Sequence, residues 1–177
     1  MAPSPFLDAL CSPGPAQDRT RGLQLYAFLV GSWSLDVRYP QPDGTSLRSR
    51  GEVHAGWVLE GRAIQDVWIV PARGLPRGEL PAPFEFYGTT LRVYDPGLDA
   101  WHILWSDPMR QLYRRQLGRA EGPDIVQLGT DDSGGQVRWS FRDRMADAFR
   151  WCGERSADGG ASWILMAEFR ARRETPP

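Results

Sequence analysis

Lysine is absent from the 177 residues, and all 21 basic side chains are arginine, a bias that a GC-rich genome accounts for. The formal net charge of −1 leaves no basic field for nucleic acid or an anionic membrane. The pairs Arg48/Arg50, Arg114/Arg115 and Arg142/Arg144 lie among Glu52, Glu121, Asp131 and Asp132, so they read as solvated outer faces. Histidine is scarce: His54 and His102 are the only two, which excludes a histidine-rich metal site. Cys11 and Cys152 have no metal-ligand spacing. The sequence leaves a disulfide between them open, and the plain reading is free thiols in a reducing cytoplasm. No apolar run approaches the roughly 20 residues of a membrane helix. Residues 1–20 carry neither the basic nor the apolar segment of a secretory leader. Nucleophile-elbow, P-loop, dinucleotide-fingerprint and CxxC motifs are all missing, and nothing in the chain calls for a metal or cofactor.

What is present is β chemistry. Eight Trp, fifteen Pro and nineteen Gly suit many short strands joined by tight turns. Residues 1–21 form an arm rich in proline, read as irregular, and 22–177 form one domain. Leu25, Phe28 and Leu29 at helical spacing, before Gly31, predict a short helix over 22–30 that plugs or flanks the domain. From Ser32 the period becomes two: Trp33, Leu35, Val37 and Tyr39 alternate with polar residues. The next strand puts Val53, Ala55, Trp57 and Leu59 on one face, with His54 on the other. Glu60-Gly61 then predicts a two-residue hairpin whose register pairs Trp57 with Ile64, Ala55 with Asp66, and Val53 with Trp68. Segment 71–83 reads as a mouth loop or lid. Strands follow at 84–95, 100–107, 111–118, 125–129, 136–143, 148–155 and 161–173. About ten strands, with no long helix after residue 31, predict an all-β chain: a single closed antiparallel up-and-down β-barrel, because closure removes exposed edges.

Gly31-Ser32-Trp33 follows the short helix and opens the first strand, while Arg170, Arg172 and Arg173 end the last one. This pairing resembles the lipocalin (calycin) arrangement. The resemblance implies a tryptophan, Trp33, plugging the barrel floor with one of the three arginines stacked over it. More of the chain, from about residue 25 onward, is similar to a bacterial family of uncharacterised lipocalin-like domains. The segments that carry this are LVGSW (29–33), WVLEGR (57–62), YDPGLDAW (94–101), WSD (105–107), FRW (149–151) and ERSADGGASW (154–163). Nitrobindin-like haem barrels share the general shape, but the repeated glycines that mark them after GxW are not found here. Ser156 to Trp163 also resembles the Asp-box of sialidase-type propellers. A single copy cannot build a propeller, so it reads as a hairpin staple.

The hairpin register sends Asp66 inward, and a buried carboxylate needs a partner. Both faces of 84–107 are partly apolar, which leaves their orientation open. If Trp101 and Trp105 face the lumen, Thr90, Arg92 and Tyr94 do too. His102 shares a face with Leu91, Val93 and Leu104 and reads as a core or cavity hydrogen-bonder. An Asp–Arg pair at the barrel centre is either structural or orients a small carboxylate or hydroxyl ligand. The leading reading is a non-catalytic barrel binding a small, largely apolar metabolite. Asp66, Trp68, Trp57, Thr90, Arg92, Tyr94, His102 and Trp105 are its candidate lining. The alternative is an enzyme using Asp66 with His102 or Tyr94 as acid or base. A third reading is a dimerising module that presents Val67 and Ile69 outward as an apolar patch.

Overall fold

The computed structural model describes residues 4–174. The first three residues of the arm and the last three of the barrel segment lie outside the described residues. Ten strands close into one antiparallel barrel: β1 (Gly31–Pro40), β2 (Ser46–Val58), β3 (Ala63–Val70), β4 (Phe86–Asp95), β5 (Ala100–Asp107), β6 (Leu112–Glu121), β7 (Asp124–Thr130), β8 (Gln136–Arg142), β9 (Ala148–Ser156) and β10 (Ile164–Arg173). Each strand pairs with its chain neighbours, and β1 pairs with β10 to complete the circle. A full meander needs only short connections, and closure satisfies every edge.

The β2–β3 connection is a four-residue turn, Leu59–Arg62, wider than the two residues expected. Its φ is positive at Leu59 (53°), Glu60 (59°) and Gly61 (75°), and the Arg62 N–H donates to the Leu59 carbonyl at 3.1 Å. Leu59 leaves the face it was expected to share with Trp57 and is 46% exposed. Positive φ at both central residues matches the twist of the flanking strands, and glycine adopts it without steric cost. The resulting register pairs Trp57 with Ile64, Ala55 with Asp66 and Val53 with Trp68, as the sequence predicts.

The arm is not wholly irregular. Pro5–Leu10 form a short helix, α1, with proline in its first turn and no buried residue. Backbone bonds then strap the chain to the β2–β3 turn: the Ser12 N–H donates to Trp57 O, the Leu59 N–H to Leu10 O, and the Ala16 N–H to Gly61 O. The plug helix α2 spans Thr20–Ala27, ending earlier than the apolar pattern suggests. Leu29 and Val30 donate to carbonyls three residues back, which tightens the chain into a turn that feeds β1. Leu23 and Tyr26 are the buried face of α2.

The inner wall follows from the two-residue period. On β4 and β5 it carries Thr90, Arg92, Tyr94, Trp101, Ile103 and Trp105, which leaves Leu91, Val93, His102 and Leu104 outside. Ile69 lies on the outer face but is only 1% exposed, so the proposed apolar patch shrinks to the half-buried Val67. No disulfide forms: Cys11 is exposed, Cys152 is buried, and both are free thiols. Among the described residues no helix is long and apolar enough to cross a membrane.

An outer-wall network links β2 to the loop after β3. Arg73 donates to Glu52 from Nε (2.7 Å), Nη2 (3.1 Å) and its backbone N–H (2.8 Å), and His54 Nε2 lies 2.9 Å from the same carboxylate. The Arg73 side-chain hydrogen bonds hold the Glu52 carboxyl down at about 2, against an ordinary value of 4.5, with burial opposing them. A depressed folded-state pKa stabilises the fold above the unfolded value and ceases to do so as pH falls through the folded one. The Glu52 contribution is therefore complete above about pH 5 and disappears between about pH 4.5 and pH 2. In thermal melts across that window, Glu52→Gln should show a shallower acid loss of Tm than the wild type. Parallel curves would show that Glu52 is not a source of the acid limb.

Candidate functional site

The two ends of the barrel differ. At the end where β1 begins, α2 and the chain after it seal the lumen. Trp33 is 0% exposed and donates its indole N–H to Leu29 O at 2.8 Å. Arg173 is its cross-strand partner, and the guanidinium lies 4.0 Å from the Trp33 ring centroid. That guanidinium donates to Phe28 O (2.7 Å), Val30 O (2.9 Å) and Ala146 O (2.9 Å), tying two segments to one side chain. Arg170 and Arg172 do not take part. Alternation along β10 turns Phe169, Ala171 and Arg173 inward and the other two outward. Arg170 is 72% exposed and bonds Glu168, and Arg172 is exposed as well.

At the opposite end, where the 71–85 loop crosses, the lumen opens into a cavity of about 370 Å³. Leu80 and Phe84 of that loop pack on the barrel core, and the Tyr39 hydroxyl donates to Phe84 O at 3.0 Å. Its walls carry a cluster of aromatic side chains, Trp68, Phe86, Trp105, Trp139, Trp151 and Phe169. Trp139 and Trp151 stack at 5.1 Å and 22°, and Trp68 lies 5.7 Å from Trp151. The stack depends on Gly153, which sits opposite Trp139. A Cβ there would fall 2.5 Å from the indole ring.

The cavity deepens towards a polar layer. Asp66 is 0% and Arg92 1% exposed, and Arg92 Nε donates to Asp66 Oδ2 at 2.7 Å. The guanidinium also sits over the rings of Tyr26 (5.2 Å) and Phe141 (5.5 Å). Gln127 donates to the Tyr26 hydroxyl at 2.9 Å. Burial pushes the Tyr26 phenol up to about 12, so it stays neutral. Thr90, Arg92 and Gln127 line the cavity at this level. Arg92 Nη1, Trp68 Nε1 and Asp66 Oδ1 are buried and find no hydrogen-bond partner among the described residues.

Of the candidate lining residues, Trp68, Thr90, Arg92 and Trp105 border this cavity, and Asp66 stands behind Arg92. Three do not border it. Trp57 belongs to the packed core at the closed end. Tyr94 rests on Gly22 of α2, and its hydroxyl donates to Asp99 at 2.9 Å. His102 is on the outer wall, where its Nε2 lies 3.1 Å from Asp95 Oδ2. Asp66 is therefore not brought together with His102 or Tyr94, and the acid–base set of the enzyme reading does not assemble. The sequence reading missed Tyr39, Phe86, Trp139, Trp151 and Phe169. For Trp139 the Val137/Trp139/Phe141 alternation carried the signal.

The Asp-box-like segment is the β9–β10 hairpin. Asp158 accepts from the Ser162 N–H (2.9 Å) and the Ser156 hydroxyl (2.7 Å), while the Trp163 indole donates to Gly160 O. The Ser162 hydroxyl, which also donates to Asp158 at 2.5 Å, holds the Asp158 carboxyl far below the usual carboxylate range, helped by the Ser156 hydroxyl and the Ser162 N–H. The turn is a staple.

No protein-family model and no curated protein matches the chain. Among solved structures, the S-type phycobiliprotein lyase CPES from Guillardia theta superposes with a TM-score of 0.60 at 10% identity. The match covers 92% of this chain and 100% of that one. Rv2717c from M. tuberculosis superposes with a TM-score of 0.58 at 15% identity, covering 93% and 99%. At such identities the likeness shows the fold alone, a lipocalin-like barrel.

Proposed function

We propose that this barrel binds a small, largely apolar metabolite in its lumen without transforming it. The observation that carries the reading is the aromatic cavity of about 370 Å³, closed by α2 and open beside the 71–85 loop. Concave, mostly apolar sites with a few converging polar groups are the usual form of a small-molecule site. Flat indole surfaces favour a planar or ring-bearing guest. The resemblance to bacterial lipocalin-like domains and the two unpaired cysteines support a bacterial cytoplasmic setting.

The test uses the neutral fluorophore phenylnaphthylamine. The wild type should bind it with one-to-one stoichiometry, quenching the barrel tryptophans. Ala167 lines the cavity, and Ala167→Phe fills it. That variant should bind at least about tenfold more weakly, and overpacking should cost no more than about 1–3 kcal/mol. Absence of wild-type binding, or equal binding by the folded variant, would sink the reading.

A further inference from the structure

The cavity's charged side chains are already neutralised by the protein itself. At the mouth, Arg110 pairs with Asp107, Arg114 with Asp132 (2.8 Å) and Arg155 with Asp131 (2.8 Å). At depth, Arg92 pairs with Asp66. The deep pair is sealed from solvent, so the layer is close to electrically neutral in a medium where an extra charge is costly. Two buried donors on residues that line the cavity, Arg92 Nη1 and Trp68 Nε1, nevertheless lack acceptors, and Asp66 Oδ1 lacks a donor. Buried donors left unpaired cost free energy that an incoming acceptor recovers.

Resting on the binding reading above, we infer that the ligand is an aromatic or polycyclic molecule whose inner end is an uncharged acceptor, a ketone, ester or amide carbonyl, and not a carboxylate. A carbonyl oxygen accepts from an unpaired donor and leaves the charge balance untouched. A carboxylate brings a second negative charge to an arginine that Asp66 already occupies at 2.7 Å. Asp66 thus sets specificity by charge: it makes Arg92 available as a hydrogen-bond donor while cancelling it as a cation.

The experiment compares methyl naphthyl ketone with naphthoate, substituted at the same ring position, by calorimetric titration near neutral pH. The wild type should prefer the ketone by at least about tenfold. Asp66→Asn keeps the shape, removes the negative charge and leaves Arg92 unbalanced. In it the order should reverse, and naphthoate but not the ketone should raise the variant's Tm. A second readout needs no variant. Between about pH 7.5 and about pH 5.5, wild-type affinity for naphthoate should rise about tenfold per pH unit, because only the neutral acid is accepted. Equal or stronger wild-type binding of naphthoate without that pH dependence overturns the inference and leaves the binding reading standing. If neither probe binds the wild type, the binding reading falls and the inference falls with it.

Discussion

Arg92→Met should cost about 3–5 kcal/mol of folding stability, one of the two largest single effects expected in this protein. The loss has little to do with packing, since methionine fills much of the same volume. It arises because Asp66, fully buried, is left without its counter-charge, and its Oδ1 lacks a partner even in the wild type. A half-satisfied polar network is costlier than none. The double variant Asp66→Leu/Arg92→Met should therefore recover most of the loss, as buried ion pairs replaced by apolar residues commonly do. Urea melts of the wild type, both single variants and the double variant measure this directly. A double variant no more stable than Arg92→Met would show that Arg92 acts through contacts other than the ion pair, such as the rings of Tyr26 and Phe141.

Trp33→Ala should be of similar size, about 3–5 kcal/mol, as for other fully buried aromatics. Arg173→Ala should be smaller on its own but strongly non-additive with it. The guanidinium stacks on the indole and binds Phe28 O and Val30 O, in the segment that leads from α2 into β1. Deleting the indole removes the surface that positions those donors, so the second deletion costs less in the double variant than in the wild type. Arg170→Ala and Arg172→Ala serve as controls on the same strand, and both should add independently to Trp33→Ala. Additivity of Arg173→Ala with Trp33→Ala in equilibrium unfolding would refute the floor plug. Coupling through Arg170 would reassign it.

The same strand shows how far alternation alone reaches. Once Phe169 is known to face inward, a period of two sends Ala171 and Arg173 inward and Arg170 and Arg172 outward. The three arginines were thus distinguishable in principle, but the sequence offered no anchor for the phase. His102 illustrates the opposite failure. Trp101, His102, Leu104 and Trp105 make both faces of β5 apolar enough to be the inner one. His102 and Trp105 cannot share a face, and only the pairing of Thr90 with Trp105 and Val93 with His102 decides between them.

By itself the sequence determined the elements that local chemistry controls. The alternation of β1 and β2, the primed turn at Glu60-Gly61, and the staple from Ser156 to Trp163 depend on residues close along the chain. The register that buries Asp66 follows from the turn, because a hairpin's pairing is set where it reverses. Only the tertiary structure decided which arginine would meet that carboxylate, since Arg92 lies on a different strand and arrives by the β3–β4 pairing of Asp66 with Thr90. It also decided that the barrel is sealed at one end and open at the other. The seal requires α2, β1 and the end of β10 to converge on Trp33, and the cavity is the volume that ten strands enclose above that plug. A cavity is a property of closure and depends on residues far apart in sequence, so no local pattern records it.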